Sequence, residues 1–295
     1  MAQSPTRILE HELELAPGRS VHVIRRPPSQ LAGLLARRYL GFRQEGAGSE
    51  RWLEPPQPAV TLIVSLEGQL HAGGRLLPDA WIGGLSDTPD VVEFGGTYAC
   101  IDLKLTPLGA YRLLGSPVNE LARTVRALDD LLGDDGRRLG ERLRAAPDWE
   151  SAFNVLEAFL LARAAAGPQP DPAIAWAWSR LRETSGRQRV EALAAELGCS
   201  RRHLTAKFHE QVGLPPKTLA RLLRFERVRR LLEADPVRWA DIAYDCGFCD
   251  QSHLNREFRD LAGTTPGGFI ARRPPGGALT GDEVTFVQDG DGVVG

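Results

Sequence analysis

Cysteine is sparse in this 295-residue sequence: four thiols, at positions 100, 199, 246 and 249, and none in the first 99 residues. So few and so scattered, they fit a reducing compartment better than a scaffold held by disulfides. Long apolar runs are missing too. No stretch approaches the length of a membrane span, and the first residues lack the basic-then-apolar pattern of a secretory signal. A soluble, cytoplasmic protein with no membrane partner is therefore expected. Lysine occurs only at positions 104, 207 and 217, so arginine carries most of the positive charge. Coding bias accounts for that preference.

What is present is ordinary in bulk. An apolar content of 42% and a charged content of 25% exclude disorder of the whole chain. The length accommodates two domains. A net charge of −2 would by itself argue against nucleic acid, but it averages unlike parts. Residues 172–273 hold 18 Lys and Arg against 12 Asp and Glu, whereas residues 1–171 hold 18 against 22. The last segment, 274–295, has four acids and no base. Positive charge is thus concentrated in one region, as phosphate binding requires.

That region carries a pattern. VEALAAELGCSRRHLTAKFHEQVG, from Val190, reads as a short Ala/Leu-rich helix, a turn at Gly198, and a second helix capped by Ser200 with Leu204 and Phe208 inward. The pattern then recurs. SRRHLTAKF (200–208) lies 50 positions before DQSHLNREF (250–258), pairing Ser200 with Asp250, His203 with His253, Leu204 with Leu254, and Phe208 with Phe258. Gly213, Pro216 and Leu219 match Gly263, Pro266 and Phe269 at the same offset. Before the turn the offset is 49, pairing Ala194 with Ala243 and Gly198 with Gly247, so the second turn is one residue longer. Two helix-turn-helix units in tandem are the reading. Between them KTLARLLRFERVRRLLEAD (217–235) is a long amphipathic helix. Some 17 residues of helix span about 25 Å, a strut of the order needed by two helices entering major grooves roughly 34 Å apart. Its arginines 221, 224, 227, 229 and 230 read as a solvated face, with some available to phosphate.

These residues, above all CGFCDQSHLNREFRDLAGTTPGGF at 246–269, resemble the DNA-binding domain of the AraC-type (AraC/XylS) transcription regulators over roughly the last third of the chain. The resemblance implies a seven-helix domain with two recognition helices on one face of double-stranded DNA. It also implies a regulator, more often an activator than a repressor, with RNA polymerase, a small-molecule effector and a second copy of the chain as further partners.

The N-terminal half reads differently. LELAPGRSVHVI (13–24) places Pro17-Gly18 between two alternating segments, a hairpin signal, and further strand-like runs are 59–66, 80–85, 91–94 and 98–105. Their spacing suggests a small antiparallel barrel or sandwich, and the resemblance implies a cupin-like one. QLAGLLARRYLGF (30–42) fits helix or strand. From Ser116 the period is helical: 117–133 has an apolar stripe at Val118, Leu121, Val125, Leu128 and Leu132, RRLGERLRAA follows, and 148–167 runs from an Asp148 cap to a Gly167 stop. Phe153, Leu156, Phe159, Leu160 and Leu161 of that last helix serve internal packing or a dimer interface.

The expected fold is α+β: an N-terminal cupin-like antiparallel β domain with helices, and a C-terminal all-α domain of two tandem helix-turn-helix units. Residues 1–166 form the sensor or dimerisation domain, β-rich over 1–110 and helical over 117–166. GPQPDP (167–172) is a linker, 173–273 the DNA-binding domain, and 274–295 a Gly-rich acidic tail whose EVTFVQ segment is a strand or mobile. The helix opening the second domain starts at Pro172 and packs on the first unit through Trp176 or Trp178.

A recognition helix shows the groove the residues just after its N-cap and one turn later, away from its core stripe. Matched to the family's base-contact positions, these are Arg202, Thr205 and Ala206, then Gln251, Ser252, Asn255 and Arg256. Arg pairs bidentately with guanine, and Gln or Asn with adenine. Ala206 stands where many relatives have a long polar side chain, and offers only apolar contact, for instance to a thymine methyl. Arg201, Lys207, Arg259 and the helix N-termini are the phosphate candidates. His203 and His253 are read as packing or backbone-bonding groups.

Two other chemistries were weighed. Metal-binding cupins use clustered histidines with a carboxylate, but His11, His22 and His71 are scattered and no His-x-His occurs. Cys246-Gly-Phe-Cys249 has redox or metal spacing, yet no second such pair completes a tetrahedral site. In the repeat Cys246 falls on Leu197 and Cys249 on Cys199, so both read as small apolar scaffold residues. No catalytic residue, metal or cofactor is therefore expected. The alternatives are a metal-dependent cupin-like enzyme, or a DNA-repair alkyl transferase fused to a DNA-binding module. The latter needs a cysteine cluster near its start, where this chain has none. A third is a module whose N-terminal domain only pairs subunits or recruits a partner.

Overall fold

The computed structural model describes residues 8–15, 18–46, 49–232 and 238–271. From the N-terminus come strands β1 (Ile8–Leu15), β2 (Gly18–Arg25), β3 (Tyr39–Gly46), β4 (Ser49–Glu54), β5 (Val60–Glu67), β6 (Leu70–Ala72), β7 (Arg75–Leu76), β8 (Ala80–Gly83), β9 (Asp90–Gly95) and β10 (Tyr98–Leu105). Next are α1 (Pro107–Leu114), β11 (Val125–Ala127), α2 (Leu128–Leu132), α3 (Asp134–Arg144) and α4 (Trp149–Ala166). The strands make two antiparallel sheets, ordered β1-β2-β3-β10-β5-β8-β11 and β4-β9-β6-β7.

Period-two alternation explains the layering. On β10, Ile101, Leu103 and Leu105 are fully buried in one core with Val60, Leu62 and Val64 of β5 and with the helices. The intervening Tyr98 and Cys100 belong to a second cluster with Phe42, Leu70, Trp81 and Phe94, between the two sheets. The seven-stranded sheet is therefore covered on both faces. On its helical side α4 starts at the Asp148 cap, whose carboxylate accepts from Ser151 N at 2.7 Å, and ends at Gly167. Phe153 of α4 stacks on Tyr39, and the Trp149 ring occupies the space left by the missing side chain of Gly41. Arg25 crosses from β2 to Asn154 at 2.6 Å and Glu157 at 3.1 Å. The apolar face of α4 is thus used for packing on the sheet.

The ambiguous stretch 30–42 is a 3-10 turn at Ser29–Leu31 followed by β3 from Tyr39. After β10, α1 begins at Pro107: Thr106 caps it by accepting from Gly109 N at 3.0 Å, and Gly115 stops it at φ +73°. The single helix expected over 117–133 is not formed. Instead there is a 3-10 turn at Val118–Leu121, then β11, then α2. The periodic apolar residues serve different surfaces: Val118, Leu121 and Leu128 are buried, while Val125 lies on an edge strand and is exposed. Arg123 reverses the chain at φ +57°, donating its N–H to Leu85 O and its guanidinium to Asp87. Pairing with the open edge of β8, Val125 opposite Gly83 and Ala127 opposite Trp81, outweighs helical periodicity here.

The C-terminal part holds seven helices among the described residues: α5 (Pro172–Glu183), α6 (Val190–Glu196), α7 (Arg201–Val212), α8 (Pro216–Leu231), α9 (Trp239–Asp245), α10 (Gln251–Ala262) and α11 (Pro266–Ala271). Trp178 is the buried tryptophan of α5, and Trp176 is exposed. The 167–172 stretch is held at both ends: Gly167 N–H donates to Arg163 O, and Asp171 N–H to Gln211 Oε1 on α7 at 2.9 Å. The segment 274–295, its EVTFVQ run included, lies outside the described residues, as do Pro17 and the His11 side chain. No helix among the described residues is long and apolar enough to cross a membrane.

Gly84 follows β8 where the 3-10 turn crosses it, and a Cβ there would meet Leu121 O at 1.9 Å. Gly84→Ala is expected to lower unfolding free energy by about 1–3 kcal/mol, the usual overpacking cost. Urea denaturation of the full chain measures this; an unchanged midpoint would mean that the turn is not clamped there.

Candidate functional site

Each helix-turn-helix unit is built by the same local bonds. In the first, Gly198 takes φ +64°, Cys199 N–H returns to Ala194 O at 3.0 Å, and Ser200 Oγ accepts from His203 N at 3.1 Å. In the second, Gly247 takes φ +77°, Phe248 N–H returns to Ala243 O at 2.8 Å, and Asp250 Oδ1 accepts from His253 N at 2.7 Å. Only the glycines reach that left-handed backbone at little cost. The matching carbonyls, Ala194 and Ala243, are the pair already related by an offset of 49. By these bonds Cys199 corresponds to Phe248, so Cys249 is the extra residue of the longer turn.

That corrects the reading of the cysteine pair. Cys246 is fully buried at the end of α9, as a scaffold residue should be, but Cys249 is exposed. Phe248 takes the buried place instead, with the His253 ring edge-on at 5.4 Å and the Arg224 guanidinium 5.7 Å from its centre. His253 Nδ1 accepts from Cys249 N–H at 3.4 Å, a backbone-bonding role.

Leu204 and Phe208 of α7, and Leu254 and Phe258 of α10, are buried. Opposite them Arg201, Arg202 and Ala206 are exposed and Thr205 is half-buried, while Gln251, Ser252 and Arg256 are exposed and Asn255 is half-buried. The two helices thus present corresponding polar faces. Arg201 is engaged by Glu191 at 2.9 Å, both well exposed, and Lys207 by Glu210 at 3.0 Å, both partly exposed. Arg259 is exposed beside them in the repeat frame.

The strut α8 has 16 residues, about 24 Å of helix. Three of its arginines are structural, contrary to the expected solvated face. Arg221 holds Glu257 at 2.6 Å and Asp260 at 3.0 Å on α10. Arg224 donates to Gly186 O at 3.1 Å, and Arg229 is buried against Glu226 at 3.1 Å. Phe225 packs on Phe258 at 4.9 Å, and Phe258 on Phe269 at 5.4 Å. Missing from periodicity alone was that the second unit docks on these arginines.

Among the described residues the N-terminal part touches this assembly through α1 against α7, and at several further points. A Cβ on Gly213, after α7, would stand 3.2 Å from Val118; a Cβ on Gly263, after α10, would stand 3.4 Å from Leu53 of β4. Arg37 reaches Glu226 of α8 at 3.5 Å.

Between the two sheets lies a cavity of about 320 Å³. Alternation aims Tyr98, Cys100, Asp102 and Lys104 of β10 into it, with Phe42, Trp81 and Leu70 from neighbouring strands. Lys104 Nζ is 3.0 Å from Thr61 Oγ1 and 3.2 Å from Asp102. Burial pushes the Glu54 carboxyl above the usual carboxylate range, although the positive charges of Lys104, Arg229 and Arg37 pull the other way. Sequence reading did not single these residues out, although the alternation Tyr-Cys-Asp-Lys along β10 was there to be seen. Among the described residues no three His, Cys, Asp or Glu side chains form a metal-ligand group.

Thiol chemistry follows from placement. Burial pushes Cys100 up to about 12 and Cys246 up to about 11, and the thiolate is the reactive form. A mild thiol reagent at pH 8 is expected to label Cys249 first and to reach Cys100 and Cys246 only on unfolding. Peptide mass spectrometry reads the order; early labelling of Cys246 would contradict the packing described.

A family model described as a helix-turn-helix domain matches residues 193–272. The HTH-type transcriptional regulator GlxA of Rhizobium meliloti is 36% identical over 81 residues, 28% of this chain and 25% of that protein. The HTH-type transcriptional activator RhaS of Escherichia coli O157:H7 is 36% identical over 69 residues, 23% of this chain and 25% of that protein. A structure of ToxT from Vibrio cholerae aligns over 79% of this chain and 97% of its own, with a TM-score of 0.46 at 13% identity. The chain spans about a quarter of the length of the curated relatives it matches. Residues 193–272 are a helix-turn-helix domain.

Proposed function

We propose that this chain is a cytoplasmic, sequence-specific regulator of transcription, and not an enzyme. Residues 173–273 bind double-stranded DNA, residues 1–166 sense a small molecule or pair subunits, and 167–172 join them. The observation that carries this reading is the correspondence of two exposed polar faces, at Arg202–Ala206 and at Gln251–Arg256, on helices joined by one strut. Arg202, Thr205 and Ala206 touch bases from the first helix, and Gln251, Ser252, Asn255 and Arg256 from the second. Arg259 binds phosphate directly. Arg201 and Lys207 exchange their exposed carboxylate partners for phosphate, which costs little because such surface pairs contribute little. Activation, through contact with RNA polymerase, is the direction favoured by the activator among its relatives.

The effector site is the inter-sheet cavity, whose volume is at the lower end for small-molecule pockets. Its occupancy reaches the DNA-binding half through the end of β4. There successive residues point opposite ways: Glu54 lines the cavity and Leu53 meets the turn after the second recognition helix.

Selection of binding sites from random DNA by the full chain, at defined salt, tests the reading. A defined sequence and an affinity that falls steeply with salt are expected. Arg256→Ala should weaken specific binding by about 1–3 kcal/mol and relax one base position. Arg259→Ala should weaken all sequences alike and reduce the salt slope by about 1. No sequence preference, together with no salt dependence, would overturn the assignment.

A further inference from the structure

Charges around the cavity are unevenly paired. Lys104 is committed to Asp102 and Thr61, and Arg123 to Asp87, which lies outside the lining. Arg37 and Arg229, the next cations, both bind Glu226. Among the described residues Glu54 is left with no ion pair; the Gln57 side-chain amide donates to it. A carboxylate at the wall of an apolar space is costly unless it is protonated or matched by a cation.

Two further features point to what would match it. Phe42, Trp81 and Tyr98 bring three aromatic rings to the same cavity, and aromatic faces attract organic cations. Trp81 and Gln57 also line the cavity, and among the described residues Trp81 Nε1–H and Gln57 Oε1 are buried with no hydrogen-bond partner.

We propose that the cavity takes a small organic cation, an amine or quaternary ammonium on a compact apolar skeleton, with its charge at Glu54 and its body between Phe42, Trp81 and Tyr98. The N–H of an amine ligand donates to Glu54 and Gln57 Oε1, a quaternary ligand meets Glu54 through charge alone, and an oxygen elsewhere on the ligand accepts from Trp81 Nε1–H. A carboxylate ligand would have to displace Asp102 from Lys104 and would face Glu54. The proposal rests on reading the cavity as the effector site.

Titration calorimetry of the full chain with benzylamine, benzyltrimethylammonium and phenylacetate tests it, with DNA affinity measured on the same samples. Both cations are expected to bind and phenylacetate to bind more weakly or not at all. Glu54→Gln should weaken benzylamine about tenfold or more, the scale of a lost charged hydrogen bond, and weaken benzyltrimethylammonium through the lost charge, while an unchanged urea-unfolding midpoint certifies that the variant is folded. Phe42→Leu, which removes one aromatic wall, should weaken benzyltrimethylammonium with Glu54 intact. Preference for phenylacetate, binding of the cations unaffected by Glu54→Gln, or no binding of either cation would overturn the proposal. In each of those outcomes, retained salt-dependent DNA binding would leave the regulator reading standing, and its loss would remove that reading separately.

Discussion

Arg221 of α8 grips Glu257 and Asp260 of α10, and one turn on Phe225 packs against Phe258 of the same helix. The rest of the C-terminal structure depends on this joint. α8 leaves the first unit through buried Leu219, Leu222 and Leu223, and Arg224 ties it back to Gly186. One rigid helix is thus bound to both units by apolar packing and by charged hydrogen bonds. Two helices so joined have one mutual orientation, as the proposed binding to a pair of major grooves on one face of DNA requires. Free hinging between the units would instead cost conformational entropy at binding.

The N-terminal part adds a second constraint, because it meets the first unit at Val118, the strut at Arg37 and the second unit at Leu53. The Arg37–Glu226–Arg229 cluster is largely buried. Burying three charges contributes little net stability, but breaking such a cluster leaves one unpaired and is costly. Its main effect is therefore on which orientation of the parts is populated. Because Glu54 lies on the cavity wall beside Leu53, the same strand end belongs to both the cavity and the domain contact.

Features written in neighbouring residues were legible in the sequence. The offsets of 50 and 49 located both turns, both N-caps and both inward stripes, and the structure has each of them. Asp148 and Gly167 bounded α4 correctly, and the 98–105 run is β10 to the residue. Where distant residues decide, the sequence misled. Val125 continues a helical stripe, yet the open edge of β8 claims it as strand. Cys249 and Cys199 both precede an N-cap, yet the bond to Ala243 O puts Phe248 in the buried place. The α8 arginines have helical spacing fit for solvent, but the second unit docks on them. Thr106, Pro107 and Gly115 mark α1 in the sequence as a cap, a first-turn proline and a stop. The cavity had no local signature beyond the alternation of β10, since its walls come from separate strands brought together by the sheets.

The proposal that α8 rigidly joins two DNA-reading helices is tested most directly by hydroxyl-radical footprinting of the full chain on its selected site. Two protected stretches about one helical turn, roughly 10 base pairs, apart on one face of the duplex are expected. A single protected stretch, or two whose spacing varies freely among bound sites, would contradict it.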